Sequence, residues 1–405
     1  MAQFNKDIFR AYDVRGAYPG DFDTTFAQRL ASRVAGWLKA GTIVVGRDER
    51  ATSDELTYAC IDGAVYAGAN VIDIGVVSTP QYYWAIRSLG AAGGIMVTAS
   101  HNALSDNGFK VIAARGDSLE VIGGDIIRQV YDSATQEHAS KGSVEYRSIL
   151  DGYAAAVAYA AQWRGGTELC MAIDAPAAVR DVFASLGPVA SDERFGVRFD
   201  PDGDRVAFFD RGAPIPADFI FLLLAEQLEL RPLVFDLRFS RVVHERLAAR
   251  QTPFTISKVG RLGITEAMHR TRAIFGGETS GHYYWKEFGG MECSELTALR
   301  VYEVYRRSGR TLTELVAPYR VNHKSEEINI PIRDTKEASS VLAKLAAHYS
   351  EASQDRTDGL TVQFEEWWFN IRPSNTEPLL RLVVEADTKK LLDQMIKEVE
   401  GLASS

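Results

Sequence analysis

Short apolar runs alternate with amphipathic stretches along most of this chain, and the alternation restricts the fold more than any other feature. Helical spacing of apolar positions is found at residues 24–39 and 52–66, and short apolar runs typical of buried strands lie at residues 43–45, 71–77 and 95–98. Strands separated by helices of this length indicate crossover connections and a mainly parallel sheet. We therefore predict an α/β domain over residues 1–150.

The same alternation continues in two further segments. Residues 151–215 contain apolar runs at 169–173 and 197–199, with one helical stretch at 177–186 between them. That segment has room for one helix and little else, so we predict a shortened α/β domain. Residues 216–322 predict a third α/β domain, with helices at 218–228, 240–249 and 262–269 and strands at 233–235, 254–257 and 273–275.

The last segment, residues 323–405, has a different order of elements and begins near the charged stretch 322–327. Its predicted strands lie at residues 328–332, 361–364, 367–371 and 379–384, and two helical stretches flank them. Because several of these strands are adjacent in sequence, an antiparallel α+β domain is expected.

Composition excludes several classes of protein. The 405 residues are 46% hydrophobic and 24% charged with a net charge of -9, which argues against a general nucleic-acid binder. No run of about 18 apolar residues is present, and the first residues contain no apolar signal core, so we expect neither a membrane partner nor secretion. Cys60, Cys170 and Cys293 lack CxxC spacing, which argues against zinc and disulfides and fits a reducing cytoplasm.

The first polar turn of interest is residues 98–102, which follow the apolar run 94–97 and precede a second short predicted strand at 109–112. This turn places the hydroxyl of Ser100 at the end of a strand, a common position for a nucleophile. A helix cap or a turn residue is the alternative role for a serine there.

The second turn is residues 200–205, with Asp200, Asp202 and Asp204 at alternate positions. Three carboxylates cannot lie close together without a cation, because like charges repel and one of them would take up a proton. Hard oxygen ligands suit Mg²⁺ or Ca²⁺. The pattern of a calcium EF-hand is excluded, because its sixth and twelfth positions here are Arg205 and Arg211. A solvated acidic turn is the alternative.

Two further loops follow predicted strands. In residues 276–282, Glu278, Ser280 and His282 alternate and could face one ligand, since a carboxylate accepts from paired hydroxyls and histidine moves protons near neutral pH. In residues 372–378, an arginine with small hydroxyl and amide side chains is suited to holding a phosphate. Each loop could instead be an ordinary polar turn.

Two arginine-containing clusters lie upstream, at residues 9–16 and 46–50. Each alone is more typical of a surface ion-pair network.

Together these stretches resemble the α-D-phosphohexomutase family over essentially the full length of the chain and in the same motif order. The sequences Asp-Gly-Asp-Arg at 202–205 and Ser-Asn-Thr-Glu-Pro at 374–378 resemble its phosphomannomutase/phosphoglucomutase branch. The phosphoglucosamine mutase branch usually shows Asp-Ala-Asp-Arg and Ser-Gly-Thr-Glu-Pro. The resemblance implies three α/β mixed-sheet domains, the second shortened, and a C-terminal α+β domain around a central cleft.

The resemblance also implies roles for individual residues. Ser100 would hold the transferable phosphoryl group and, with Asp200, Asp202 and Asp204, would bind Mg²⁺. The residues expected near the reacting groups are Arg15, His101, Lys110, Arg205 and His282. The residues expected to bind the sugar and its second phosphate are Tyr12, Lys258, Arg261, Glu278, Ser280, Arg372, Ser374, Asn375, Thr376 and Arg381.

The implied reaction moves a phosphoryl group between C6 and C1 of a hexose, mannose or glucose, with hexose 1,6-bisphosphate as intermediate and activator. Small hexose phosphates would be the partners, and the enzyme would be a monomer or weak dimer. Phosphoglucosamine mutase and a sugar-phosphate-binding protein without catalysis are the alternatives. A serine hydrolase is disfavoured, because no Gly-x-Ser-x-Gly turn is present and the neighbouring Ser100 and His101 are not expected to pair as nucleophile and base.

Two features depart from the family pattern. Ala103 stands where the family commonly has proline after His-Asn, which makes the loop less rigid without removing a functional group. The second segment, residues 151–215, is also shorter than the family's second domain.

Overall fold

The computed structural model describes residues 4–39, 41–134, 141–165, 168–374 and 377–404. The chain divides into two compact units, each discontinuous in sequence. Unit 1 comprises residues 1–215 and 280–312, and unit 2 comprises residues 216–279 and 313–405. Across the described ranges, no helix combines the length and apolar character needed to cross a membrane.

The first segment contains alternating strands and helices in unit 1. Its elements are β1 (Val14–Ala17), α1 (Thr24–Leu38), β2 (Thr42–Arg47), α2 (Ser53–Tyr66), β3 (Asn70–Val76), α3 (Thr79–Ser88), β4 (Gly93–Val97), β5 (Asp106–Arg115), β6 (Ser118–Val121), α4 (Gly124–Asp132) and β7 (Val144–Tyr146). The start of α1 is fixed by Asp23, whose carboxylate accepts the amide N–H of Phe26 at 2.8 Å. The buried face of α1 carries Phe26, Leu30 and Val34, which belong to the apolar core of this segment.

The strands of this segment form a sheet in the order β1-β5-β4-β2-β3-β7, with β6 also paired to β5. Strands β4, β2, β3 and β7 are parallel, but β5 runs antiparallel to β1, β4 and β6. The expectation of a mainly parallel sheet was therefore wrong for the part of the sheet in which β5 pairs with β1, β4 and β6. The strand predicted at 109–112 is also longer, because residues 106–108 pair with β1.

The second segment is short, as predicted, and adds two small sheets to unit 1. Its elements are α5 (Leu150–Ala161), β8 (Leu169–Cys170), β9 (Ala172–Asp174), α6 (Ala177–Leu186), β10 (Val189–Ala190), β11 (Gly196–Phe199), β12 (Val206–Asp210) and β13 (Ala213–Ile215). The predicted strand 169–173 is two strands, because β8 pairs with β10 whereas β9 pairs with β11. The chain changes partners at Met171, whose amide donates to the carbonyl of Ala190 at 2.9 Å.

The third segment contributes to both units. Its elements are α7 (Ala217–Gln227), β14 (Leu233–Asp236), α8 (Arg241–Ala249), β15 (Phe254–Ser257), α9 (Arg261–Thr271), β16 (Phe275–Gly277), β17 (Tyr283–Trp285), β18 (Met291–Glu292) and α10 (Ser294–Ser308). In unit 2, β14 lies between β15 and β16 and is parallel to both. The strand predicted at 273–275 is shifted to 275–277, because Gly276 and Gly277 continue the ladder opposite Val234 and Phe235.

The last segment completes unit 2 with an antiparallel sheet and two long helices, which confirms the predicted α+β order. After α11 (Leu312–Val316), which still belongs to the third segment, the elements are β19 (His323–Lys324), β20 (Ile328–Pro331), α12 (Thr335–His348), β21 (Ser353–Asp355), β22 (Leu360–Gln363), β23 (Trp367–Pro373), β24 (Leu379–Ala386) and α13 (Lys389–Ser404). The sheet order is β19-β24-β23-β22-β21, with β20 also paired to β24. Strands β22, β23 and β24 and helices α12 and α13 contribute to one apolar core.

Helices α1 and α2 pack so closely that we predict a stability effect at Gly63. A Cβ at this position would lie 1.9 Å from the backbone oxygen of Gln28 in α1. We expect Gly63→Ala to lower the melting temperature, since overpacking costs about 1–3 kcal/mol. Gly401→Ala in α13 is the matched control, because a Cβ there meets nothing within 4 Å. We expect it to leave the melting temperature unchanged or raise it, and equal melting temperatures for the two variants would contradict the packing.

Candidate active site

Ser100 lies in a tight turn directly after β4. Its backbone φ is +52°, in the left-handed region that costs a non-glycine residue on the order of 1–3 kcal/mol. The Ser100 amide donates to Thr98 Oγ1 at 2.9 Å, and the Asn102 amide donates to the carbonyl of Ala99 at 3.1 Å. The surrounding structure thus holds the strained turn, and Ser100 is only 2% exposed.

Arg15, on β1, supports this turn from the neighbouring part of the sheet. Its guanidinium donates to the carbonyl of Ala99 at 3.3 Å and to Asn102 Oδ1 at 3.1 Å, and it pairs with Asp13 at 2.7 Å. Burial acts to lower the pKa of Arg15, but Asp13 outweighs it and raises the pKa, with smaller contributions from Asp202 and Asp204. The predicted arginine therefore lies beside the Ser100 turn.

His101 corrects one expectation from the sequence. Its Nδ1 lies 3.4 Å from Ser100 Oγ, so the adjacent serine and histidine do pair. The left-handed turn at Ser100 brings the two neighbouring side chains together. Burial, with the positive charges of Arg205 and Arg15, lowers the pKa of His101 to about 4, so the ring is neutral at pH 7.

The three aspartates lie in the turn between β11 and β12. One carboxylate oxygen from each of Asp200, Asp202 and Asp204 lies within 4.8 Å of the others, so the predicted cluster forms. The turn depends on Gly203, which has a φ of +71° and whose Cβ would come within 2.9 Å of Val179 and Ser78.

Lys110, on β5, supplies the positive charge that the sequence argument requires near these carboxylates. Its Nζ lies 2.5 Å from Asp202 Oδ2 and 2.6 Å from Asp204 Oδ2, and Thr79 Oγ1 donates to Asp202 Oδ2 at 2.7 Å. Burial and Asp204 act to raise the pKa of Asp202, but Lys110 outweighs them and the net shift is downward. An ammonium group therefore balances part of the negative charge.

The remaining carboxylate oxygens fit a metal ion. Oδ2 of Asp200 and Oδ1 of Asp202 are buried and accept no hydrogen bond among the described residues. Three carboxylates face the ammonium of Lys110 and the guanidinium of Arg205, which lies 3.7 Å from Asp200, so one negative charge remains in excess. Burial and the two neighbouring carboxylates accordingly raise the pKa of Asp200 well above its ordinary value. A cation bound by these oxygens would satisfy both the charge and the unpaired acceptors.

His282 joins this cluster from the part of unit 1 that follows residue 279. The Val206 amide donates to the carbonyl of Gly281 at 3.0 Å, which brings the chain alongside β12. His282 Nε2 then lies 3.3 Å from Asp204 Oδ1 and 3.3 Å from Arg205 Nε, and its Nδ1 lies 2.9 Å from Ser280 Oγ. The predicted residues Arg205, Ser280 and His282 are thus neighbours.

Tyr12, another predicted site residue, is half-buried just before β1.

In unit 2, Glu278 follows β16 and contacts the loop that contains Lys258. The Gly260 amide donates to Glu278 Oε1 at 2.8 Å, between the predicted residues Lys258 and Arg261. Glu278 and Arg261 are buried. Ser280 bonds to His282 in unit 1.

The predicted phosphate-binding arginines meet at Glu327. Arg372 on β23 and Arg381 on β24 lie 2.6 Å and 3.1 Å from its carboxylate, and Arg238 lies at 3.4 Å. The Nε atoms of Arg372 and Arg381 are buried and donate no hydrogen bond among the described residues. Burial, together with the charge of Arg238, lowers the pKa of Arg372. Asp236, 2.8 Å from Arg238, and Glu377, 3.2 Å from Arg381, balance the remaining charge, so the cluster offers a ligand its unused donors.

Ser374 directly follows β23, and its amide N–H donates to the carbonyl of Leu379 at 2.8 Å. Asn375 and Thr376 lie outside the described residues.

Sequence reasoning did not identify Thr79, Arg238 or Glu327. Thr79 begins a helix, and its contact with Asp202 joins residues 123 positions apart, so no local pattern could signal it. Glu327 lies within the charged stretch 322–327, which was interpreted only as a boundary.

Comparison with known proteins agrees with this geometry. Family models for phosphoglucomutase/phosphomannomutase match residues 6–138 (α/β/α domain I), 216–321 (α/β/α domain III) and 327–402 (C-terminal domain). A phosphomannomutase of Salmonella montevideo is 31% identical over 459 aligned positions, covering 99% of this chain and 100% of that protein. The alignment exceeds the 405 residues present here, so it opens gaps in this chain.

Solved structures show the same fold. A phosphoglucomutase/phosphomannomutase family protein from Burkholderia thailandensis has a TM-score of 0.86 at 24% identity and covers 99% of this chain and 98% of its own. An N-acetylphosphoglucosamine mutase from Aspergillus fumigatus, solved with GlcNAc-6P and magnesium, has a TM-score of 0.64 at 13% identity and covers 100% and 98%.

These matches define an enzyme of the α-D-phosphohexomutase superfamily, an isomerase that acts on hexose phosphates. Within the superfamily, the chain belongs to the phosphoglucomutase/phosphomannomutase family. Such enzymes are generally metal-dependent, and the aspartate cluster is able to bind a metal ion.

The aspartate cluster generates a prediction about metal binding. Asp202→Asn removes one negative charge beside Lys110 and weakens the cation site, so we expect turnover to fall on the order of 10²-fold or more. Isothermal titration with Mg²⁺ should show weaker binding than in wild type. Asp174→Asn is the control, because Asp174 is an exposed partner of Arg198. Wild-type metal affinity in Asp202→Asn would rule out this residue as a ligand.

Proposed function

We propose that this enzyme interconverts the 6-phosphate and 1-phosphate of mannose, glucose or both through a phosphoserine at Ser100. The free sugar hydroxyl attacks the phosphorus, the bond to Ser100 Oγ breaks, and the hydroxyl proton passes to a neighbouring base. The resulting hexose 1,6-bisphosphate reverses its orientation in the site, and Ser100 Oγ then takes the other phosphoryl group from it. The net change is one phosphate position, and Ser100 ends phosphorylated as it began.

The observation that carries this proposal is the environment of Ser100. The hydroxyl lies in a strained, nearly buried turn next to a cationic group, Arg15, which also interacts electrostatically with Asp202 and Asp204. A phosphoryl group on Ser100 would therefore place its negative charge beside the guanidinium of Arg15. We propose Arg15, Lys110, Arg205 and His282 as the groups that stabilise charge or move the proton, with His101 holding the serine side chain.

We propose Mg²⁺ as the ion held by Asp200, Asp202, Asp204 and the phosphorylated Ser100. When bound, it supplies charge neutralisation for the phosphoryl oxygens. Lys110 engages one oxygen of Asp202 and one of Asp204, so it fixes the orientation of both carboxylates and leaves Oδ1 of Asp202 for the ion.

Recognition of the substrate is assigned to unit 2. Arg372 and Arg381, with Ser374 and the undescribed pair Asn375 and Thr376, would hold the phosphate that does not react. The unused Nε donors of Arg372 and Arg381 support this assignment. Glu278, Lys258 and Arg261 are proposed to bind the sugar hydroxyls. Ser280 and Tyr12, which belong to unit 1, are also proposed as substrate-binding residues.

The sugar assignment rests on the motifs and on the relatives. The turn at 202–205 and the stretch at 374–378 both match the phosphomannomutase/phosphoglucomutase pattern, and the Salmonella relative is a phosphomannomutase. We further propose a cytoplasmic enzyme, monomeric or weakly dimeric, acting on small hexose phosphates without a nucleic-acid or membrane partner. Its three cysteines, all in the described part of the chain, are free thiols, which suits a reducing compartment.

The test of the phosphoserine is Ser100→Ala. We expect peptide mapping to find phosphate on Ser100 in wild type, and we expect the variant to lose at least about 10³-fold in turnover, as loss of a nucleophile does. Ser105→Ala in the same loop is the control, because Ser105 is exposed and its side chain bonds only to Asp106 among the contacts described. Full turnover by Ser100→Ala would refute the mechanism.

The same assay should use the phosphates of mannose, glucose and glucosamine. Turnover confined to glucosamine phosphates would assign the protein to the alternative mutase. Binding of all three without turnover would favour a sugar-phosphate-binding protein.

Glu278 provides the test of sugar recognition. Its equivalent carboxylate oxygens can accept from adjacent hydroxyls in either orientation of the sugar, which a mutase requires. Glu278→Ala leaves the sugar hydroxyls without an acceptor, which costs about 1–3 kcal/mol for each unpaired group. We therefore expect roughly 10²-fold slower turnover and more released bisphosphate. Glu278→Gln keeps an acceptor for the Gly260 amide and separates that contact from the sugar contacts. Unchanged turnover with a native melting curve in both variants would remove Glu278 from the site.

A further inference from the structure

Arg50 is a buried arginine just beyond β2 whose side chain ends beneath the Ser100 turn. Its side chain is 3% exposed, and the resemblance gave it no role. The sequence pattern around it, at residues 46–50, favoured a surface ion-pair network. The structure shows a different arrangement, in which the guanidinium donates to the backbone of the turn.

Every guanidinium N–H of Arg50 has an acceptor within the described residues. Nη2 donates to the carbonyls of Ser100 at 2.6 Å and Asn102 at 2.8 Å. Nη1 donates to the carbonyls of Ala103 at 2.6 Å and Asp106 at 3.1 Å. Nε donates to Asp48 Oδ2 at 3.1 Å. An arginine has five such donors in a fixed planar fork, so one side chain fixes four carbonyls of one loop.

Asp48 fixes the guanidinium in turn. Its Oδ1 accepts the hydroxyl of Ser53 at 2.6 Å and the amide of Arg50 at 3.1 Å, and its own amide donates to the carbonyl of Val97, the last residue of β4. Burial raises the pKa of Asp48, and these donors together with Arg50 act against that shift. The pair is therefore attached to the same strand that ends at the Ser100 turn.

We propose that Arg50 is a positioning residue for phosphoryl transfer, which acts by holding the Ser100 backbone in its left-handed conformation. The inference rests on the proposed phosphoserine mechanism. Arg50 touches neither the substrate nor the reacting oxygen in this role. It determines the direction of Ser100 Oγ, because the carbonyl of the same residue is held by Nη2. The flexible residue Ala103, where the family commonly has proline, is held at its carbonyl by the same side chain.

Lysine cannot substitute for this function, although it keeps the charge. An ammonium has three donors around one point, so it cannot reach four carbonyls spread over seven residues of loop. Arg50→Lys therefore separates charge from positioning. Misplacement of a reacting group by about 1 Å costs on the order of 10²-fold in rate, so we expect this loss in kcat with KM changed by less than about threefold.

The experiment measures kcat, KM, the fraction of Ser100 phosphorylated and the melting temperature in wild type, Arg50→Lys and Arg50→Ala. Millimolar guanidinium chloride is then added to Arg50→Ala, with equal NaCl as the salt control. Guanidinium should restore part of kcat, because it can re-form the bonds to the loop carbonyls. Arg47→Ala is the matched control, because Arg47 ends β2 just before Arg50 but pairs with Asp54 and Asp73. We expect its kcat to be unchanged.

The outcomes distinguish the two proposals. Wild-type kcat in Arg50→Lys, with Ser100 phosphorylated, would overturn the positioning role alone. A rise in KM together with falls in kcat and in melting temperature, with no rescue by guanidinium, would show a merely structural role. That result would also overturn the positioning role. Absence of phosphate from Ser100 in wild type, with turnover retained by Ser100→Ala, would overturn the phosphoserine mechanism and this inference together. If Arg50→Ala does not fold, the split between kcat and KM in Arg50→Lys decides.

Discussion

The ion pairs of Lys110 with Asp202 and Asp204 are the interaction on which the rest of unit 1 depends. The lysine side chain is 2% exposed and both carboxylates are fully buried, so none of the three charges is stabilised by water. Removing one partner of a buried pair leaves an uncompensated charge and costs about 3–5 kcal/mol. Because Lys110 comes from the first sheet and the aspartates from the loop between β11 and β12, these bonds also join the first segment to the second.

The two units differ in their buried charged groups. Unit 1 brings three carboxylates together near Lys110. Unit 2 brings three arginines together around Glu327. Burial strengthens the interactions in both clusters, since the local dielectric is low and salt screens it little.

The sequence predicted the elements well where hydrophobic spacing alone decides them. Helix α6 has the predicted bounds, Ala177–Leu186, and α1 ends one residue before the predicted limit. The chemistry was also predictable wherever it lies in one short stretch, because Asp200, Asp202 and Asp204 reveal their proximity by their spacing. The single strand predicted at 169–173 was wrong, because the spacing of apolar residues indicates burial but does not indicate which strand is the pairing partner.

Contacts between distant parts of the chain account for what could not be predicted. Arg50 acts on carbonyls more than 50 positions away, and Thr79 bonds to a residue 123 positions away. The residue type shows that a side chain can donate or accept hydrogen bonds, but its actual partner depends on the fold. The Ser100–His101 pair shows the same limit at short range, because it depends on a backbone φ that serine seldom adopts.

The discontinuity of unit 1 has a consequence for how the chain is made. A ribosome that has released residues 1–215 has not yet delivered Glu295, which accepts hydrogen bonds from Ser78 and Tyr153 at 2.9 Å each. Nor has it delivered Tyr302, whose ring packs edge-on against Phe195. The first unit therefore cannot reach its final hydrogen bonding until the chain has been synthesised past residues 216–279 to Glu295. A fragment that stops at residue 215 would leave two buried hydroxyls without their acceptor.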